Sequence, residues 1–94
     1  MSPTSHARLH LKIHGVVQGV GFRWSARRRA LELGLAGWVR NCADGCVEVL
    51  AEGPPEPISA FEAWCSGGPT TAHVERVESV NDTPESLHTF EIVD

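Results

Sequence analysis

The sequence predicts a two-layer α+β sandwich in which two helices cover one face of an antiparallel sheet of four to five strands. Segments with period-two alternation are separated by two segments with helical spacing of apolar residues. Their order is strand, helix, strand, strand, helix, strand, followed by a terminal strand. The 94 residues suffice for one domain that buries roughly 60–65% of its unfolded surface. In this split β-α-β arrangement the first two strands run parallel, with the third between them.

The first strand is predicted over residues 8–14, where apolar and polar side chains alternate. Its inward-facing residues are Leu9, Leu11 and Ile13. A helix is predicted over residues 23–33, which contain neither glycine nor proline and carry an apolar stripe. The members of that stripe are Phe22, Ala26, Ala30 and Leu33. Gly34 follows as the residue that ends the helix.

Two alternating runs, residues 35–41 and 47–52, flank a short connection and predict a hairpin. The connection ends in Asp44-Gly45, which favours a left-handed Gly45 beside a bulge. The predicted cross-strand pairs are Asn41 with Val47, Arg40 with Glu48, and Val39 with Val49. We expect the second of these to be an ion pair on an exposed face that contributes little to stability.

A second helix and two further strands complete the prediction. The glycine and prolines of the GPPEP stretch at residues 53–57 end the preceding strand before this helix begins. The apolar face of the helix comprises Ile58, Phe61, Trp64 and Cys65. In residues 73–80, valines alternate imperfectly with charged residues, which predicts a strand. Residues 88–94 predict the last strand, with Phe90 and Ile92 facing inward.

The net charge of −4 argues against a protein whose whole surface binds nucleic acid, so any anion binding must be local. No apolar run approaches the roughly 20 residues of a membrane span. Residues 1–7 predict a flexible N-terminal tail without the apolar core of a signal peptide. We therefore expect a single domain over residues 8–94, a cytoplasmic location, and neither nucleic acid nor a membrane as partner.

The three cysteines, Cys42, Cys46 and Cys65, are an odd number without a framework spacing, which favours reduced thiols. Cys42 and Cys46 flank a tight turn, so a disulfide or a weak metal pair is conceivable. Two thiols without further histidine or cysteine partners nevertheless make a poor zinc site. The sequence therefore predicts no bound metal.

The stretch HGVVQGVGFR, residues 14–23, places three glycines directly before a helix. Glycine permits backbone dihedrals in which successive N–H groups converge, and the helix start adds free amides and a partial positive charge. Arg23 lies in the first helical turn, where a cation opposes the helix dipole. Bidentate contact with a phosphate group would compensate for that cost. A tight turn with an incidental arginine is the alternative that these residues alone leave open.

Asn41 is predicted to lie beside this loop. Because the first two strands run parallel, their ends at His14 and Asn41 lie along the same edge of the sheet. Residues 15–22 can therefore meet Asn41 although they are far from it in sequence.

Two stretches resemble the signatures of the acylphosphatase family. GVVQGVGFR at residues 15–23 matches a Gly-x-Val-Gln-Gly-Val-x-Phe-Arg loop. GWVRNCADGCVEVLAEG at residues 37–53 contains a Gly-x-Val-x-Asn-x-x-Asp-Gly-x-Val hairpin. The later GPTTAHVERVES is similar to the stretch that leads into the family's fourth strand. The resemblance extends over about residues 8–93.

This resemblance implies a ferredoxin-like fold and hydrolysis of the carboxyl–phosphate bond of acyl phosphates without a metal or cofactor. By position, Arg23 would bind the phosphate and Asn41 would position the attacking water. Backbone amides would complete the cradle at Val17, Gln18, Gly19, Val20, Gly21 and Phe22. The expected partners are a small-molecule acyl phosphate and inorganic phosphate as product, and the expected state is a monomer.

A binding module is the main alternative, because ferredoxin-like sheets also occur in RNA-binding and regulatory domains. An RNA reader needs exposed aromatic rings on its central strands, and the predicted open face of the first and third strands has none. Trp38 alone does not form a stacking platform. A domain fused to a larger enzyme that handles carbamoyl phosphate is a second alternative. The end of the chain at Asp94, soon after the last strand, leads us to expect a standalone enzyme.

Overall fold

The computed structural model describes residues 6–94. The elements follow in the order β1 (Ala7–Val16), α1 (Phe22–Glu32), β2 (Ala36–Asn41), β3 (Val47–Gly53), α2 (Pro55–Gly67), β4 (His73–Asp82) and β5 (Phe90–Ile92). Of the predicted tail, residues 1–5 lie outside the described residues, whereas Ala7 belongs to β1 and pairs with Gly53. Neither helix in this described part reaches the length and apolarity that a membrane span requires.

The strands form one sheet in the order β4-β1-β3-β2-β5. β3 lies between β1 and β2 and is antiparallel to both, so β1 and β2 run parallel to each other. This arrangement confirms the predicted ferredoxin-like sandwich. β5 adds one parallel pairing with β2, so the sheet is mixed. The parallel direction arises because β4 and β5 occupy opposite edges, and the segment between them must cross the sheet.

Hydrogen bonds to side chains hold that crossing segment and β5 in place. The carboxylate of Glu52, which is buried in β3, accepts the backbone N–H groups of Glu85 at 2.7 Å and Leu87 at 2.9 Å. From the helix layer, Arg27 Nε donates to the carbonyl of Phe90 at 2.9 Å. The residues that make these contacts are far apart in sequence, so no local pattern predicts the contacts.

The core lies between the two helices and one face of the sheet. The predicted inward face of β1 and the predicted apolar faces of both helices supply it. Its buried members there are Leu9, Leu11, Ile13, Phe22, Ala26, Ala30, Ile58, Phe61 and Cys65. Trp64 is half-buried and its ring lies 5.5 Å from that of Phe22. Leu33 differs from the prediction, because α1 ends one residue earlier and Leu33 is its half-buried C-cap.

The hairpin follows the predicted register at each of the three expected pairs, including Asn41 with Val47. Gly45 adopts the expected left-handed conformation, with φ of 95°. The Gly45 N–H donates to the Cys42 carbonyl at 3.1 Å, and the Cys42 N–H donates to the Cys46 carbonyl at 2.9 Å. Local turn chemistry therefore suffices to fix this part of the fold.

The prediction that Arg40 and Glu48 form an ion pair on an exposed face is correct for the pair and wrong for the exposure. Glu48 is only 8% exposed, because β3 is flanked by strands on both sides. Arg40 Nε lies 2.6 Å from Glu48 Oε1, and His10 Nε2 contacts the other carboxylate oxygen. Burial alone would raise the pKa of Glu48, but the hydrogen bonds from His10 and Arg40 outweigh it and lower the pKa below its usual range.

Glu48→Gln is therefore expected to lower the free energy of unfolding by about 1–3 kcal/mol near neutral pH. Because the folded-state pKa is below the unfolded value, the carboxylate stabilises the fold above the unfolded pKa. That contribution is lost as the pH falls through the folded-state pKa. Urea unfolding over a descending pH series should show the difference between the two proteins shrinking in acid. Glu75→Gln, on the exposed surface of β4, should change little at any pH.

Candidate active site

The loop after β1 meets the end of β2, as the split topology predicts. Ile13 of β1 and Asn41 of β2 both pair with Val47 of the intervening β3, so β1 and β2 finish at the same end of the sheet. The side chain of Gln18 bridges the remaining gap. Its Nε2 donates to the carbonyls of Cys42 at 2.8 Å and Cys46 at 2.9 Å. The loop is thereby tied to the hairpin turn that begins immediately after Asn41.

The loop backbone is bent at two glycines in the left-handed region, Gly19 with φ of 76° and Gly21 with φ of 80°. A Cβ built on either would meet no heavy atom within 4 Å, so the requirement is conformational and not one of crowding. Alternating backbone conformations of this kind let successive N–H groups point to one side. The Thr71 hydroxyl donates to the Val20 carbonyl at 2.6 Å and holds the far side of the loop.

The loop is also anchored by its ends. The side chain of Val17 and that of Phe22 are each 1% exposed and belong to the core.

The start of α1 has no local acceptor for its first amides. Gly21 is the N-cap of α1 and provides no side-chain cap, and the first turn of the helix contains no acidic residue. The first amides of α1 therefore lack a side-chain acceptor, and the positive end of the helix dipole is not compensated locally.

Arg23 adds a positive charge to this helix end, and its guanidinium has no counterion in the part of the chain that the structure describes. No carboxylate among residues 6–94 lies within ion-pair distance of its guanidinium. Two other arginines of α1 are engaged differently, Arg27 with the Phe90 carbonyl and Arg29 with Glu32 at 3.2 Å. A helix start that carries a cation and free amides together is suited to an anion.

Asn41 presents a second unsatisfied group at the end of β2. Its Oδ1 is buried, and no described residue donates a hydrogen bond to it. A buried acceptor without a donor costs about 1–3 kcal/mol, so such groups need a functional or structural reason. By strand alternation Asn41 shares the helix-covered face of the sheet with Val39. The acceptor is therefore on the same face as the start of α1.

Two supporting side chains were not predicted from the sequence. Gln18 was expected to contribute only its backbone amide, and Thr71 was not assigned a role. Gln18 occupies a position inside the loop signature, and Thr71 lies in the GPTTAHVERVES stretch. Those signals mark the residues, but they do not show which backbone atoms the side chains reach.

Gln18→Met is expected to reduce the free energy of unfolding by about 1–3 kcal/mol, because it removes two hydrogen bonds and keeps the side-chain length. Thermal or urea unfolding measures the change. Ser66→Ala is a suitable control, since it removes an exposed side-chain hydrogen bond within α2. Equal stability of Gln18→Met and the parent protein would show that the bridge between loop and hairpin contributes nothing.

The fold and these groups define a small α+β sandwich with a candidate anion site between a glycine loop and a strand end. The model of the acylphosphatase family matches residues 9–92. An acylphosphatase of Thermococcus kodakarensis is 52% identical over 86 residues, which are 92% of this chain and 94% of that protein. The chain belongs to the acylphosphatase family.

Solved structures agree with this assignment. The crystal structure of acylphosphatase from Bacillus subtilis matches with a TM-score of 0.91 and 36% identity, covering 94% of this chain and 99% of that one. The structure of HypF from T. kodakarensis matches with a TM-score of 0.82 and 32% identity, covering 94% of this chain but 12% of HypF. The same domain therefore also occurs as a small part of a much longer protein.

Proposed function

We propose that this protein is an acylphosphatase that hydrolyses the carboxyl–phosphate bond of acyl phosphates to a carboxylate and inorganic phosphate. The reaction is the attack of a positioned water molecule and needs neither a metal nor a cofactor. The observation that carries the proposal is the junction of the glycine loop with the end of β2, made by the two hydrogen bonds of Gln18. In a chain that belongs to the family, this junction supports the proposal that Asn41 acts together with the loop.

The substrate already has a good leaving group, because a carboxylate departs without strong acid assistance. The enzyme then has to hold the phosphoryl oxygens, stabilise their charge and place water in line. We assign the first task to the backbone amides of residues 17–22 and to the free amides at the start of α1. Arg23 performs the second, because its planar guanidinium makes two parallel hydrogen bonds to phosphate oxygens.

Asn41 performs the third task in this proposal. Its unpartnered Oδ1 would accept a hydrogen bond from the attacking water and so direct the oxygen lone pair toward phosphorus. A carboxamide is too weak a base to take the proton, which we assign to a phosphate oxygen of the substrate. His14 is the nearest histidine in sequence, but its Nε2 lies 3.7 Å from Glu78 of β4. By strand alternation His14 faces the open side of the sheet, whereas Ile13 and Asn41 face the helices, and this orientation supports a mechanism without a histidine base.

We also retain the monomeric state and the cytoplasmic location as proposals. The large apolar side chains that are exposed among the described residues are few, and apart from Trp24 and Leu31, which share α1, they lie on different segments, which supports a monomer. They are Val16, Trp24, Leu31, Val80 and Val93. Light scattering on a sizing column measures the mass in solution, and a dimer at micromolar concentration would contradict this proposal.

The activity is tested with acetyl phosphate and benzoyl phosphate in the presence and absence of EDTA. We expect hydrolysis of both, unchanged by the chelator, and far slower hydrolysis of phenyl phosphate because its leaving group is poorer. Inorganic phosphate should raise the unfolding temperature, since it binds only the folded protein. A folded protein that binds phosphate without turnover would be a binding module, and loss of turnover in EDTA would contradict the metal-free mechanism.

A further inference from the structure

The hairpin turn that follows Asn41 gathers three side chains that the proposed reaction does not use. The Sγ atoms of Cys42 and Cys46 and a carboxylate oxygen of Asp44 all lie within 4.8 Å of one another. Both cysteines are free thiols. By strand alternation these two residues face the open side of the sheet, opposite to Asn41 and Val47. Cys42 Sγ is 3.7 Å from Glu48 Oε1, which lies on that open side.

The backbone of the turn fixes these three groups before any ligand binds. The Gly45 N–H to Cys42 carbonyl and Cys42 N–H to Cys46 carbonyl hydrogen bonds close the turn. Gln18 binds both cysteine carbonyls from outside. Asp44 Oδ1 accepts the Cys46 N–H at 3.1 Å, which leaves its other oxygen available. A site held in this way loses little conformational freedom when it binds an ion.

The distances suit a tetrahedral thiophilic cation. Two sulfur ligands of zinc are roughly 3.8 Å apart when each Zn–S bond is about 2.3 Å and the geometry is tetrahedral. The three donor atoms already lie within 4.8 Å of one another, which is close to that spacing. Two thiolates and one carboxylate favour Zn²⁺ or Cd²⁺ over Mg²⁺ and Ca²⁺, which prefer an all-oxygen shell.

The two cysteines must each lose a proton when they bind a metal ion, because the thiolate and not the thiol is the metal ligand. The carboxylate of Asp44 is exposed at the tip of the turn and offers the third ligand atom. Because protons compete with the ion for the two sulfur atoms, we expect the affinity for the ion to rise with pH.

We propose that this turn is a binding site for a single Zn²⁺ or Cd²⁺ ion, held by Cys42 Sγ, Cys46 Sγ and the Asp44 carboxylate. Two metal–sulfur bonds form, two S–H bonds break, and both protons go to solvent without any oxidation or reduction. Water occupies the fourth position, because Glu48 is already engaged by Arg40 and His10. Asp44 is exposed and Cys46 is buried, so the ion enters from the tip of the turn.

The sequence argued against a metal here because two cysteines lacked further ligands. The structure adds Asp44 as a third ligand, since the type of turn that places Gly45 in the left-handed region also returns the Asp44 carboxylate toward Cys46. The proposed ligand side chains differ from the groups assigned to catalysis, although the carbonyls of Cys42 and Cys46 also accept the hydrogen bonds of Gln18 that tie the loop to the hairpin.

Cadmium titration of the full chain, kept reduced by a phosphine, tests the proposal. We expect the ultraviolet thiolate-to-cadmium absorption band to saturate at one equivalent, with release of two protons per ion. Cys42→Ser should remove most of the band, and Asp44→Asn should weaken affinity about tenfold or more. Zn²⁺ should displace the bound ion, whereas excess Mg²⁺ should not.

Matched variants separate this site from other thiols and from the catalytic groups. Cys65→Ser, which alters the buried thiol of α2, and Asn41→Ala should both retain the band at one equivalent. Circular dichroism verifies that each variant is folded. Cys46 is buried, so Cys46→Ser is not needed for the test. Cys42 is partly exposed and Asp44 is exposed, so substitutions at these two positions keep the fold. A folded wild-type protein without the band would overturn the proposal, as would a band that persists in Cys42→Ser or disappears in Cys65→Ser.

Discussion

Arg23→Ala is expected to lower kcat/KM for benzoyl phosphate by about 10³-fold or more, which corresponds to about 4 kcal/mol of transition-state stabilisation. The guanidinium has no carboxylate partner among residues 6–94, so its charge is available to the phosphoryl group. The same substitution should weaken inhibition by inorganic phosphate, because the product presents the same oxygens. Steady-state kinetics with phosphate as a competitive inhibitor measures both effects.

Two further variants test whether charge alone explains the effect of Arg23. Arg23→Lys keeps the charge but loses the planar pair of donors, so it should recover only a small part of the activity. Arg28→Ala removes a neighbouring charge from the exposed surface of α1 and should leave kcat/KM within about twofold of the parent, since exposed charges are weakly coupled in water. Unchanged phosphate inhibition in folded Arg23→Ala would show that the phosphate role has been assigned to the wrong residue.

Asn41→Ala is expected to reduce kcat by about 10²–10³-fold while the inhibition constant of phosphate changes little. The reason is that Asn41 is assigned to the water and not to the phosphoryl oxygens. The split between kcat and phosphate binding distinguishes this role from that of Arg23, whose loss affects both. Unfolding measurements should show no large destabilisation, because none of the described residues donates a hydrogen bond to Asn41 Oδ1.

Asn81→Ala provides the matched control for Asn41, since it removes an exposed carboxamide from the edge strand β4, which is separated from β2 by β1 and β3. Its kinetics should equal those of the parent protein. If Asn41→Ala weakened phosphate inhibition as strongly as Arg23→Ala did, the side chain would be a phosphate ligand, and the positioning of water would have to be assigned elsewhere.

The hairpin shows how far local sequence determines structure in this protein. Its register was predicted at the level of individual pairs because Asp44-Gly45 specifies the turn, and the turn specifies which residues face each other. The core faces of β1 and the two helices follow equally directly from the two periodicities. The junction of the loop with Asn41 was predicted through one additional step, the parallel arrangement of β1 and β2.

The environment of Glu48 shows where such prediction stops. Alternation places Glu48 on the open face, which would be exposed if β3 were an edge strand. Its burial arises because β1 supplies His10 from one side and β2 supplies Arg40 from the other. The sequence predicted the central position of this strand, but strand alternation gives only the face on which Glu48 lies and not how the side chains of neighbouring strands cover it.

The sequence by itself determined the element order, the core faces and the hairpin register, and it predicted that Arg23 and Asn41 belong to one candidate site. Each of these depends on neighbours within a few residues or on one rule of connectivity. Only the tertiary structure decided that Gln18 joins the loop to the hairpin, that β5 runs parallel to β2, and that Asp44 lies beside both cysteines. The physical reason is that hydrogen bonds and ligand geometry depend on distances of a few tenths of an ångström, which packing sets and sequence periodicity does not specify.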